Sequence, residues 1–274
     1  MVKPAQSADI MLTNINHPDI LSTLNLTSPR LGDTEDFYVE LLWQDTPGVL
    51  GSPTSCIKQI EKRRANTVNT SSIRVTAGDV EGNAVVALKK QNTGQILWSW
   101  HIWVTHYQPD DIQAQSANGE YYEPSAKGSL YKYQDYLFMD RFLGATFTDG
   151  NNGDPQWIKS QWYKDTNQAS TQLLAKASGF FYQWGRKDPI LTATYPDKSS
   201  TKLEDTPVYD ANGNKINIPD CKLWLDSIKV SIENPLRIMY YSFYNEARSW
   251  GTSKSKNIFD PCPEGWRVPH TPLI

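Results

Sequence analysis

Ten residues, ILWSWHIWVT at 96–105, constrain the fold more than any other stretch of the chain. Ile96, Trp98, Trp100, Ile102 and Val104 alternate with Leu97, Ser99, His101, Trp103 and Thr105. Successive strand side chains point to opposite faces, so the first five share an apolar face and the second five a mixed one. β-Branched and aromatic residues suit such a pleated surface. Three tryptophans within six residues form an apolar surface that something must cover. The stretch is therefore expected to be a central core strand with Trp98 and Trp100 buried. A tryptophan-lined ligand platform is the alternative, because these two indoles lie on one face.

The neighbouring sequence supplies partners for that strand. Phe37–Trp43 reads as a strand with Phe37, Val39, Leu41 and Trp43 on one face, ended by the turn Gln44–Gly48. Ile73–Ala77 and Asn83–Lys89 read as further strands, and Asn92-Thr93-Gly94 turns the second back into 96–105 as a hairpin. Residues 1–36 are broken by Asn14, Asn16, Pro18 and Pro29, which suits short edge strands or loops. Residues 51–72, polar and basic around Lys62, Arg63 and Arg64, read as a solvated insertion. Together, 1–108 is expected to be a β-sandwich-like domain.

Periodicity is lost after Tyr107, so 109–129 reads as a linker. Residues 130–274 then read as an α+β domain with one main helix. Asp165–Ser178 carries the helix signal: Asp165 or Thr166 as N-cap, Ala169, Leu173, Leu174 and Ala177 on one face, and Gly179 beyond the end. Asp210-Ala211-Asn212-Gly213-Asn214 has hairpin chemistry. WRVP at 266–269 reads like the entry to another element, so a truncated or frame-shifted product is the expectation.

Charge and composition narrow the partners. A net charge of −3 gives no case for nucleic acid or an anionic membrane. No apolar run approaches the length of a membrane span. The opening MVKPAQSADIML lacks the apolar core of a signal peptide. Aromatics at 12%, with ten Trp and fourteen Tyr, fit a β-rich, loop-heavy surface protein.

Reactive groups are sparse. His17, His101, His106 and His270 form no HxH or HExxH pair, and His101 is expected to be a structural histidine. Cys56, Cys221 and Cys262 fit no zinc spacing. No cofactor is expected, with calcium the exception. Asp149, Asn151, Asn152 and Asp154 crowd oxygen ligands into one loop, although not in the helix-loop-helix register. Those four are the candidate ligand-binding residues. Arg186, Lys187 and Asp188 form a charged cluster that suits structural pairing.

Four segments, GNAVVALK at 82–89, ILWSWHIWVT at 96–105, GFFYQWGRKDP at 179–189 and DPCPEGWRVP at 260–269, together with MDRFLGAT at 139–146, resemble Bacteroidetes fimbrillin-like surface proteins. The resemblance is to those carrying a Fibrobacter succinogenes major paralogous domain. It covers roughly 80–269, and FYVELLWQD at 37–45 also fits. It implies a C-type-lectin-like fold for the C-terminal part and an exported location at the cell surface or outer membrane. It also implies a non-catalytic role as adhesin or pilus-tip subunit, with other pilus subunits, glycans or host proteins as partners. Trp98, Trp100, Trp103, Trp184, Arg186, Asp188, Cys262, Trp266 and Arg267 would be its structural motif. A structural pilin without ligand and a formylglycine-generating-type enzyme are the alternatives, the latter with Cys221 and Cys262 as candidate thiols. The chain departs from the family in lacking the export signal, the lipobox cysteine and the helical segment after WRVP.

Overall fold

The apolar run Ala84–Leu88 lies at the middle of the main sheet, and all five of its side chains are buried. Consecutive buried residues mean a strand covered on both faces, rather than one with a wet side. Around it, the computed structural model describes residues 1–12, 37–63, 72–107, 130–133, 136–139, 142–146, 179–183, 186–191, 207–217, 222–223, 228–239, 250–252, 255–256, 258–263 and 266–268.

The first six strands are β1 (Ser7–Met11), β2 (Phe37–Gln44), β3 (Ile57–Arg63), β4 (Ser72–Ala77), β5 (Gly82–Lys90) and β6 (Ile96–Val104). They form two three-stranded antiparallel sheets, in the orders β1-β4-β3 and β2-β5-β6. β5 and β6 are the expected hairpin, and Gly94 takes a φ of 68° in its turn, a conformation that costs other residues a steric penalty. One hydrophobic cluster joins the sheets. Leu41, Ala84, Val86, Leu88, Trp98, Ile102 and Val104 from one meet Ile57, Ile73, Val75 and Ala77 from the other.

Three sequence expectations change here. β6 is an outer strand of its sheet, not a central one, because β5 carries the run that is apolar on both faces. Val2 bridges to the outer edge of β6, with Val2 N–H donating to the Trp103 carbonyl at 2.9 Å and Thr105 N–H to the Val2 carbonyl at 3.0 Å. Next, Trp98 is buried at 5% exposure, but Trp100 is only partly buried against the shared core. The register also shifts opposite Leu88 and Lys89, and Leu97 joins Trp98 in the same core cluster. An extra residue in one strand breaks strict alternation in this way. Finally, 57–63 is strand rather than solvated insertion. Ile57 is buried and pairs with Ala77, while Lys58, Gln59 and Arg63 stay exposed. Their polarity hides the strand in the sequence.

The later elements are short. β7 (Leu130–Tyr133) pairs with β8 (Tyr136–Met139), and β9 (Phe181–Tyr182) with β10 (Pro189–Ile190), both antiparallel. β11 (Lys222–Leu223) is followed by α1 (Ile228–Glu233) and β12 (Ile238–Met239), and β11 and β12 run parallel. β13 (Gly251–Thr252) and β14 (Ser255–Lys256) close a two-residue pair. The described chain is thus strand-rich, with several antiparallel sheets and one short helix. No helix among the described residues is long and apolar enough to cross a membrane. The expected helix 165–178, the linker 109–129 and the Asp149–Asp154 loop lie outside the described residues.

Contacts run across the expected boundary. Trp43 and Val85, on the second face of the main sheet, share a cluster with Leu191 and Val208, and Phe180 and Leu236 pack against it. Ile232 of α1 and Phe259 join the first-face core. The Asp210–Asn214 turn forms as expected, with Asp210 N–H donating to the Asn214 carbonyl at 2.9 Å. Beside it Tyr209 pairs with Gln44, and Val208 is buried behind it.

Trp98→Ala is expected to cost about 3–5 kcal/mol in urea denaturation, as large core truncations do. Trp100→Ala should cost clearly less, because part of that indole already meets water. Equal losses would contradict this assignment of the two indoles.

Candidate functional site

The polar residues of the second sheet face converge on His101. β5 places Asn83, Val85 and Ala87 on that face, cross-strand from Trp103, His101 and Ser99 of β6. Burying polar groups there is tolerable only when each finds a hydrogen-bond partner. Asn83 finds four. Its backbone N–H donates to Asp45 Oδ1 at 2.7 Å, and its Nδ2 donates to Asp45 Oδ2 at 2.8 Å and to the Gly144 carbonyl at 2.8 Å. With Nδ2 so engaged, Oδ1 is the acceptor, and it lies 3.0 Å from His101 Nε2.

That contact sets the histidine tautomer, because Nε2 must carry the hydrogen. Nδ1 is then an acceptor, and the Tyr182 hydroxyl donates to it at 2.8 Å. The imidazole stacks near Trp43, with ring centroids 6.5 Å apart, and meets the edge of Phe180 at 5.9 Å. Desolvation in this aromatic setting pushes its pKa down to about 3, against a weaker upward pull from Asp188. Burial likewise holds the Tyr182 phenol well above its ordinary value. Both groups are therefore neutral at physiological pH.

Gly144 is fitted to this cluster. Its φ is 82°, and a Cβ there would come within 2.5 Å of the Phe180 ring and 3.0 Å of Asn83 Oδ1. A side chain would be strained by its backbone and would displace the amide that orders the network.

The second cluster is built from the RKD run. Lys187 Nζ donates to Asp188 Oδ1 and Oδ2 at 2.9 Å and to Ser99 Oγ at 2.5 Å, and it lies 4.4 Å from the centroid of the Trp98 ring. Ser99 Oγ donates in turn to Asp188 Oδ1 at 2.8 Å. Burial lowers the lysine pKa, and Asp188 opposes that shift. Arg186 points away from this pair. Its guanidinium donates to the carbonyls of Asn234, Pro235 and Arg237, just beyond α1. A cation there also suits the negative end of a helix.

The remaining motif residues are placed as follows. Phe259 packs against Trp98 at 5.8 Å between centroids, and the Trp250 indole donates to the Arg186 carbonyl at 3.0 Å. Asp260 orders its own loop by accepting from Cys262 N–H at 2.8 Å and Val268 N–H at 2.9 Å. Trp266 and Arg267 are half-buried. Trp103 is buried and packs against Tyr107 at 5.8 Å. Trp184, Cys221, Asp149, Asn151, Asn152 and Asp154 lie outside the described residues. The sequence reading missed Asp45, Asn83, Ser99, Gly144 and Tyr182. The available signal was a lone amide opening the apolar run NAVVAL, and a polar serine and histidine on a strand otherwise rich in tryptophan.

Chemically, the His101 and Lys187 clusters consist of paired groups, while Arg186 Nε is buried without a partner. Both ring nitrogens of His101 are hydrogen-bonded, and Lys187 faces its own carboxylate. The Cys56 thiol is fully buried, near Gln44 Oε1 and the Asn83 carbonyl. Desolvation, reinforced by the Asp45 carboxylate, raises its pKa far above the usual thiol range, which suppresses the nucleophilic thiolate. Among the described residues, no three His, Cys, Asp or Glu side chains are grouped to hold a metal ion. No protein-family model, curated protein or solved structure matches this chain.

In the native protein Cys56 should resist iodoacetamide at pH 8 and become labelled only in urea, as read by peptide mass mapping. Rapid native labelling at Cys56 would contradict its burial. Arg186→Lys should cost about 1–3 kcal/mol by chemical denaturation, because an ammonium cannot reproduce the forked contacts to three carbonyls. An unchanged midpoint would show those contacts to be incidental.

Proposed function

We propose that this chain is a non-catalytic cell-surface adhesin or pilus-tip subunit. Its reading is a β-sandwich-like domain over 1–108, a linker over 109–129 and a C-type-lectin-like domain over 130–274. Ligands, glycan or protein, would be held by loops of the second domain, including Asp149, Asn151, Asn152 and Asp154, with calcium as the one admissible cofactor. Fimbrillin-like surface proteins with a Fibrobacter succinogenes major paralogous domain are the family it resembles, and export to the cell surface goes with that reading.

One observation supports it above the others. The segments that carry the resemblance act as frame. Lys187 of the RKD run and Phe259 of the DPC segment both pack on Trp98 of the tryptophan strand. Asn83 of the NAVVAL strand holds Gly144 of the FLGAT run. A scaffold whose distinctive residues bind one another leaves ligand recognition to loops, where rigid β-frameworks commonly place it.

Glycan-array and surface-binding assays on the full chain test the proposal. Saturable binding to one ligand class is expected, lost in Asp149→Ala and Asp154→Ala with the melting temperature unchanged. Absence of any glycan or protein ligand, or conversion of a cysteine-containing sulfatase peptide to formylglycine, would overturn it.

A further inference from the structure

The hydrogens of the His101 network all point one way. Tyr182 O–H donates to His101 Nδ1, His101 Nε2–H donates to Asn83 Oδ1, and Asn83 Nδ2–H donates to Asp45 and the Gly144 carbonyl. Asp45, Asn83 and His101 belong to the β2-β5-β6 sheet or its immediate end. Gly144 and Tyr182 belong to segments far along the chain, 142–146 and 179–183. Those two segments also hold each other, through Phe180 N–H to the Leu143 carbonyl at 2.9 Å. The network therefore fastens them to the sheet as a pair.

A proton on Nδ1 disrupts this polarity. The nitrogen changes from acceptor to donor, facing a hydroxyl that already donates to it. Tyr182 must rotate, and its own hydrogen then needs a new acceptor. The imidazolium would also sit among Trp43, Phe180 and Tyr182, with ring centroids 6.5, 5.9 and 6.2 Å away. The charged groups around it offer little relief. The Asp188 carboxylate is already engaged by Lys187 and Ser99. The Asp45 carboxylate lies on the far side of Asn83. The α-ammonium at Met1 repels a charge on the ring. Proton uptake becomes easy only when the segments lift and the ring, part-buried in the closed state, becomes fully hydrated.

We propose that His101 and Tyr182 form an acid-release latch that holds segments 142–146 and 179–183 on the second face of the main sheet. The direction follows from linkage. The open state binds a proton near the ordinary histidine pKa of about 6.5, and the closed state resists it down to about 3. Opening therefore takes up a proton anywhere in that window. The latch is fully closed above the upper limit and weakens as pH falls, with its opening constant rising about tenfold per pH unit. The first-face core contains none of these groups, so β1-β4-β3 and its contacts with β5 should outlast the release.

Hydrogen exchange on the full chain between pH 7 and 4, corrected for intrinsic exchange rates, tests the latch. Peptides covering 142–146 and 179–183 should open about tenfold more per pH unit below 6, while those covering 84–88 stay protected. His101→Gln, which cannot titrate, should remove the slope. Tyr182→Phe keeps the histidine but lowers the obstacle to protonation, so its slope should level off at a higher pH. Should His101→Gln fail to fold, Tyr182→Phe and an NMR titration of the wild-type imidazole decide the matter. The imidazole should stay neutral in the folded chain at pH 5. A flat exchange profile, a slope that survives His101→Gln, release of 84–88 in step with the segments, or an imidazole titrating near 6.5 would each overturn the latch.

Discussion

A strand buried on both faces needs two coverings, and β5 needs them here. Its first face meets β1-β4-β3 through Ala84, Val86 and Leu88. Its second face, with Asn83 and Val85, is covered by residues that lie from about 60 to 125 positions further along the chain, such as Gly144 and Val208. Bringing such distant segments together has an entropic cost that grows only slowly with loop length, and the surface they bury must exceed it. The second face combines apolar burial at Trp43, Leu191 and Val208 with a polar chain that demands one arrangement. Apolar surfaces alone tolerate many packings, whereas an amide with three partners, Asp45, Gly144 and His101, tolerates few.

This division clarifies the role of the tryptophan strand. β6 lies at the side of the sheet, and its two faces join the two coverings. Trp98 touches Phe259 and Lys187, while Ser99 and His101 receive the RKD run and Tyr182. Lys187, Asp188 and Ser99 form a closed set in which each donor meets an acceptor. Such a buried pair adds little net stability against a hydrophobic substitute, yet removing one member leaves a charge uncompensated.

Much of the first face was legible in the sequence, because alternation and turn chemistry act locally. Phe37–Leu41 and Ile73–Ala77 reflect period 2, and the Asn83–Lys89 hairpin with 96–105 its glycine-containing turn, but a register shift after Leu41 moves Trp43 from the expected shared face to the second one. β3 was hidden because its outward positions, Lys58, Gln59 and Arg63, outnumber its inward ones. The place of β6 at the edge was not readable, since an apolar face does not say how many neighbours a strand has. The site was less legible still. His101 was recognisable as structural, but its partners Asp45, Asn83, Gly144 and Tyr182 are assembled by topology and share no spacing. The acceptors of Arg186 are backbone carbonyls beyond α1, which carry no side-chain signature.

The central claim is that a continuous polar chain, running from Asp45 through Asn83 and His101 to Tyr182, couples the sheet to the segments over its second face. A double-mutant cycle between Asn83→Ala and Tyr182→Phe, read by urea denaturation at pH 7, tests it most directly. These residues are connected through His101 and through the paired 142–146 and 179–183 segments, whereas independent sites would give losses that add to within about 0.3–0.5 kcal/mol. The account predicts a coupling energy above that range, because either substitution already leaves the imidazole without one of its partners. Strict additivity would show that the two hydrogen bonds act separately and would contradict the account.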